Sequence, residues 1–212
     1  MRKVLQKTVM KTGRGLCSMS IEYYNKYAEE FYNATASADM SETCNKFIKY
    51  IASGGKILDA GCGSGRDSLY FIKRGYEVVS FDASEEMVRL SGELTGQQTL
   101  LMKFEDIDFK DEFDGIWACA SLLHVPKTEI KGVITKLVQA LKENGVFYGS
   151  FKYGEGEEFR GERLFNFYDE NSLKSLLGEI KQLEILEIWI TEDVRPGKEG
   201  EMWVSCLCRR KN

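Results

Sequence analysis

Apolar residues recur along this chain with two periods. Over 20–34 (SIEYYNKYAEEFYNA) and 40–52 (MSETCNKFIKYIA) they return every three or four positions, as on one face of a helix. Residues 56–59 (KILD) form a short apolar run entered through Gly54-Gly55, which predicts a buried strand. A helix follows over 64–74, stopped at Gly75, then a second strand over 77–81. Ser84 is placed to cap the next helix. Strands three and four are expected at 99–104 and 113–120, and a helix over 127–141 that closes at Asn144-Gly145. Strand five is expected at 146–151 and a short helix at 169–178. Strands alternating with helices predict a parallel sheet covered on both faces. The end of the chain departs from this rhythm. Segments 184–194 and 202–208 are both strand-like, and Arg195-Pro-Gly-Lys-Glu-Gly200 is too short for a helical crossover. Strands so joined pair antiparallel. The expectation is a doubly wound α/β sheet, mostly parallel, of seven strands, with an antiparallel C-terminal hairpin.

Composition adds limits. A chain of 212 residues suits one domain. No apolar run reaches the ~20 residues of a membrane span. The net charge of −4 hides an asymmetry: residues 1–21 carry Arg2, Lys3, Lys7, Lys11 and Arg14 and no acid. The rest is therefore acidic, a poor surface for a nucleic-acid backbone. Residues 1–19 read as a flexible basic extension and 20–212 as the single domain; a targeting peptide or a nucleic-acid arm are other readings of the extension. Six cysteines without a Cys-x-x-Cys pair, and one histidine, make no recognisable metal site. A reduced, cytoplasmic protein is expected.

The strongest chemical signal is Asp59-Ala-Gly61-Cys-Gly63-Ser-Gly65 between the first strand and a helix. Glycines allow a sharp turn and close approach of a ligand to the backbone. A helix start offers unpaired N–H groups to an anion. Asp82 lies at the tip of the second strand, where an acid takes ribose hydroxyls in nucleotide-binding sheets. A tight turn with no ligand is the bland alternative. NAD is the chemical rival, but its Gly-x-Gly-x-x-Gly pattern differs from Gly61-x-Gly63-x-Gly65 followed by Arg66-Asp67.

Residues 57–65 (ILDAGCGSG), 81–88 (FDASEEMV), 113–126 (FDGIWACASLLHVP) and 141–147 (LKENGVF) resemble the motifs of class I S-adenosylmethionine-dependent methyltransferases. The resemblance spans residues 20–210 or so and implies a Rossmann-like fold. Within that family the chain looks most like small-molecule and tellurite-resistance-type enzymes. The resemblance implies S-adenosylmethionine as cofactor, S-adenosylhomocysteine as product, and roles for particular residues. Asp59, Gly61 and Gly63 would floor the methionine part, and Arg66 would reach its carboxylate or else lie on the helix surface. Asp82 would bind the ribose, with Ala83 beside the adenine and Asp106 and Ile107 at its edge. Ala120, with Ser121, would lie near the transferred methyl. One tyrosine of Tyr23, Tyr24 and Tyr27 would cover the cofactor, or all three would be packing residues.

His124, in the loop after strand four, is either a general base or substrate contact, or a packed neutral ring. The strand-five exit, 151–163, is rich in glycine and reads as a lid. Lys152, Arg163 and Arg195 could form a cationic pocket for a small anion, unless nearby glutamates neutralise them. The expected acceptor is a small molecule. An RNA or protein acceptor, or an inactive cofactor-binding module, are the alternatives; the acidic body disfavours nucleic acid. Neither the acceptor nor the oligomeric state is legible at this level.

Overall fold

The computed structural model describes residues 13–211. Three helices precede the sheet: α1 (Gly13–Lys26), α2 (Ala28–Thr35) and α3 (Ser41–Ile48). The helix expected over 20–34 is thus two, broken at Tyr27 (φ −114°, ψ 28°). Helix α1 starts at Gly13, inside the stretch expected to be a flexible extension over 1–19; residues 1–12 of that stretch lie outside the described residues.

Then come β1 (Lys56–Ala60), α4 (Arg66–Ile72), β2 (Glu77–Asp82), α5 (Glu85–Thr95), β3 (Thr99–Leu101), β4 (Phe113–Ala118), α6 (Ile130–Ala140) and β5 (Leu141–Tyr153). The five strands lie side by side in the order β3-β2-β1-β4-β5, all parallel. Two short strands, β6 (Glu157–Arg160) and β7 (Arg163–Tyr168), precede α7 (Glu170–Gly178), β8 (Leu183–Glu192) and β9 (Met202–Arg210). Strand β9 runs antiparallel beside β5, from Val146↔Arg209 to Lys152↔Trp203, and β8 pairs antiparallel with β9 on the outside. The sheet is mostly parallel with an antiparallel C-terminal pair, as expected, but among the described residues it has nine strands rather than seven, because β7 pairs with the end of β5 and β6 pairs with β7.

Both faces are buried, which is why the strands read as continuous apolar runs. Leu58, Ile116 and Phe147 pack on one side with Ile134 and Leu137 of α6. Their chain neighbours Ile57, Trp117 and Tyr148 pack on the other with Phe47 of α3 and Phe71 of α4. Trp117 and Tyr148 stack there with ring centroids 4.0 Å apart.

Two segments differ from the sequence reading. Helix α6 ends at Ala140 rather than at Asn144-Gly145, because Leu141 is drawn out, fully buried, to pair with Phe113. Asn144 still takes the left-handed conformation (φ 64°), now inside an irregular start to β5. The segment read as a lid contains β6 and leads through a turn at Gly161 into β7, which pairs in parallel with the end of β5 through Lys152↔Phe167. Leu164, Phe165, Phe167 and Tyr168 are buried. A strand buried on both faces shows no apolar–polar alternation, so only its glycine-rich approach is conspicuous in the sequence.

Candidate functional site

A cavity of about 900 Å³ opens at the C-terminal ends of the parallel strands, where α/β sheets hold ligands. Its floor is the turn from β1 into α4. Gly61, Gly63 and Gly65 all have positive φ (74°, 54° and 79°). At Gly61 a Cβ would sit 2.6 Å from the Ser121 Cβ, and at Gly65 2.5 Å from the Ser91 Oγ. At Gly63 the nearest atom would be Phe31 Cε1, 3.4 Å away. Two of the glycines therefore let β4 and α5 close against the turn, while Gly63 faces the cavity under Phe31.

Asp82 is fixed beside this floor. Its carboxylate accepts from the Gly63 N–H (2.9 Å) and the Ser84 N–H (2.9 Å), while burial raises the carboxyl above the ordinary carboxylate range. Ser84 caps α5 by accepting from Met87 N, and donates to Asn25 of α1 (2.7 Å). Asp59 accepts from Ser68 Oγ (2.6 Å); burial, with Asp67 nearby, pushes its carboxyl up to about 7. Ala120 holds a positive φ of 53° and donates its N–H to Ser150 Oγ (2.8 Å), which pins the chain leaving β4.

Asp59, Gly61, Gly63, Arg66, Asp82, Ala83, Ala120, His124, Lys152, Arg163 and Arg195 all border the cavity. Asp106 and Ile107 do not. Asp106 is exposed on a 3₁₀ turn and Ile107 is packed in the core, and Met102 and Phe104 form the wall at the exit of β3. The exposed and buried positions alternate here in a way the short β3 does not announce. Arg66 borders the cavity with its guanidinium held by Asp67 (2.6 and 2.8 Å), and Asp67 also accepts from Trp117 Nε1 (2.8 Å).

Of the two readings of Lys152, Arg163 and Arg195, a cationic pocket or cations paired with nearby acids, the structure gives pairing for Lys152 and Arg195. Lys152 is buried against Asp193 (3.4 Å) and Glu201, with its ammonium 4.1 Å from the Trp203 ring centre. Arg195 grips Asp193 through two bonds (2.9 and 2.6 Å). These ion pairs hold Asp193 and Glu201 well below the usual carboxylate range. Arg163 alone of the three has no acidic partner among the described residues.

Helix α1 roofs the cavity. Ser20 Oγ accepts from Leu164 N (3.2 Å), and the Tyr24 hydroxyl meets His124 Nε2 (2.8 Å). His124 Nδ1 lies 2.6 Å from the Leu164 carbonyl. A carbonyl only accepts, so Nδ1 carries the proton. Burial pushes the imidazole down to about 4, so the ring is neutral and its Nε2 lone pair accepts from Tyr24. Tyr24, Ala28 and Phe31 lie on one face and pack with Met87 and Leu90 of α5. Their i, i+4, i+7 spacing marks that face in the sequence, but not its partner His124.

The fold and this cradle define the class of protein. A family model for methyltransferase domains matches residues 57–145. An uncharacterised methyltransferase of Staphylococcus carnosus is 26% identical, over 76% of this chain and 81% of that one. A probable S-adenosyl-L-methionine-dependent methyltransferase, TehB, of Haemophilus influenzae is 26% identical, over 56% of this chain and 42% of that one. The chain therefore spans most of the first relative and under half of the second. Among solved structures, the Burkholderia thailandensis 1,6-didemethyltoxoflavin-N1-methyltransferase, with bound 1,6-didemethyltoxoflavin and S-adenosylhomocysteine, superposes with a TM-score of 0.77 at 17% identity, covering 99% of both chains. At that identity the likeness is one of fold.

The chain carries a methyltransferase domain over residues 57–145 on the fold of class I S-adenosylmethionine-dependent methyltransferases, and S-adenosylmethionine is its cofactor. No helix among the described residues is long and apolar enough to cross a membrane.

Proposed function

We propose that the protein methylates a small molecule held in the roofed cavity between α1 and the strand ends. The observation that carries this reading is the enclosure. A cavity of about 900 Å³, partly covered by α1 through Tyr24–His124, Ser20–Leu164 and Asn25–Ser84, suits a cofactor with a compact acceptor. Small-molecule sites span roughly 300–1,000 Å³.

The residues fit the cofactor. At Gly63 an added Cβ would meet only the Phe31 ring, at 3.4 Å, and the Asp82 carboxylate is fixed on the cavity wall. Gly61 and Gly63 would bring the backbone close to the methionine part, with Asp59 beneath. Asp82 would hold the ribose hydroxyls, and Ala83, Met102 and Phe104 would flank the base. Ala120 would border the methyl end. Arg66, neutralised by Asp67, would act through the dipole of that pair rather than as a free cation.

The cofactor supplies a methyl group activated on a sulfonium. The chain supplies position and exclusion of water, which is most of what such a displacement needs. His124 is assigned as the residue that positions Tyr24. Its lone pair is committed to the tyrosine hydroxyl, and its other nitrogen to Leu164. The domain is read as 20–212. Cys44, Cys62, Cys119, Cys206 and Cys208 are all free, which suits a reducing compartment such as the cytoplasm.

Asp82→Asn is expected to weaken S-adenosylhomocysteine binding about 10- to 100-fold. Hydrogen bonds to a charged group contribute about 1.5–3 kcal/mol, and each 1.4 kcal/mol is tenfold. Isothermal calorimetry measures it, and wild-type affinity in the variant would remove Asp82 from the site. The function itself is tested by S-adenosylhomocysteine release over a metabolite library, with bulk RNA and a protein extract as parallel acceptors. Turnover confined to RNA or protein would overturn the small-molecule reading.

A further inference from the structure

Arg163 opens β7 and lines the cavity beside α1. Its guanidinium carbon is 4.3 Å from the Tyr23 ring centre, 5.1 Å from Phe165 and 5.9 Å from Tyr24. The other cations on the cavity wall all have an acidic partner, although Lys152, Arg195 and Lys198 share two carboxylates between them. Lys46 pairs with Glu187, Arg66 with Asp67, Lys152 with Asp193 and Glu201, Arg160 with Glu158, Arg195 with Asp193, and Lys198 with Glu201. Arg163 has no such partner among the described residues, and residues 1–18 contain no acid that could supply one.

Its Nε is buried with no hydrogen-bond acceptor. A buried guanidinium donor left unsatisfied is costly, and a carboxylate meets its fork with two parallel bonds. Tyr24 lies beside Arg163 and can accept from it, but it brings no negative charge: burial raises its pKa against the pull of Arg163, so its hydroxyl stays neutral and donates to His124. The surroundings also set a shape. Three rings line the guanidinium, so a flat ligand would stack against the same surfaces that hold the cation.

We propose that the methyl acceptor is a planar organic acid, and that Arg163 docks its carboxylate among Tyr23, Tyr24 and Phe165. This rests on reading the cavity as the cofactor and acceptor site. Arg163 confers selectivity for charge, and the rings confer selectivity for flatness. The paired cations around them keep the rest of the cavity from attracting anions indiscriminately.

The test is calorimetry on the S-adenosylhomocysteine complex. The probes are benzoate and 2-naphthoate, each against its neutral amide, for wild type, Arg163→Gln and Arg163→Lys. At least one acid is expected to bind wild type tenfold or more tighter than its amide. Arg163→Gln should lose that tenfold preference, and Arg163→Lys should recover part of it. Acids binding no tighter than amides, or an unchanged preference in Arg163→Gln, would overturn the proposal. So would inorganic phosphate binding as tightly as the acids, which would make this a general anion site. Binding of S-adenosylhomocysteine is read separately. If wild type does not bind it, the reading of the cavity fails; if it binds and no acid preference exists, only the Arg163 proposal fails. Retained binding in Arg163→Gln shows that the variant is folded.

Discussion

Gly61→Ala is expected to destabilise the protein by about 4 kcal/mol. The left-handed backbone costs a non-glycine residue about 1–2 kcal/mol. The new methyl would lie 2.6 Å from the Ser121 Cβ, and forcing such a contact in a packed region costs about 1–3 kcal/mol more. Ser121 has little room to yield, because its hydroxyl donates to the Ala60 carbonyl (2.7 Å) and ties the end of β1 to the exit of β4. For a chain this long the melting temperature should fall by roughly 10 °C. Gly63→Ala is the internal control. Its nearest neighbour is a ring carbon at 3.4 Å, so only the backbone strain of about 1–2 kcal/mol applies. Equal melting temperatures for the two variants would show that Gly61 is not held against Ser121.

Acidification should cost about 3 kcal/mol through His124 alone, since each pH unit between its unfolded and folded pKa is worth about 1.4 kcal/mol. In the folded protein that pKa is depressed from 6.5 to about 4. Between those values the unfolded chain binds a proton that the folded one excludes. Stability is therefore complete above pH 6.5 and drains away as pH falls towards 4. Asp59 has the opposite sign. Its carboxyl is raised from 3.8 to about 7, so its contribution is fully present below 3.8 and is lost as pH rises through 7. The two oppose each other, and the His124 contribution is isolated by comparison with His124→Asn. Urea melts from about pH 7 to about pH 4.5 should show a steeper loss on acidification in wild type than in the variant. Identical slopes would mean that His124 is not buried as a neutral ring.

The donor side of the site was legible because it is local. Asp59 through Asp82 is one strand, one turn, one helix and the next strand. Its glycines and its strand-tip acid must keep fixed spacing for the turn to meet the carboxylate. The acceptor side was legible only as residue types. Lys152 and Arg195 could be read as free or as paired cations, and for Lys152 the choice depends on the β5–β9 pairing that brings Asp193 and Glu201 over it. Arg163 looked no different from them, and its isolation depends on which carboxylates end up elsewhere. The turn at 104–106 moved Asp106 outward and left Met102 and Phe104 on the wall, a one-residue matter of phase that a three-residue strand does not fix.

Ser20 meets Leu164 across 144 residues of chain, and Tyr24 meets His124 across 100. During synthesis the chain grows from its N-terminus, so the roof helix emerges before every surface it closes on. The glycine turn, Asp82 and the cap of α5 are complete once about half of the chain is made, whereas α1 waits for β7. Contacts of such long sequence separation form late because the loop they close is entropically costly. Chain order and loop entropy predict a stage with a formed donor cradle and an open acceptor side. During that stage the apolar face of Tyr24, Ala28 and Phe31 has α5 to rest on but no finished pocket to seal. Pulse-labelling hydrogen exchange during refolding should then protect β1, β2 and β4 before the amides of α1.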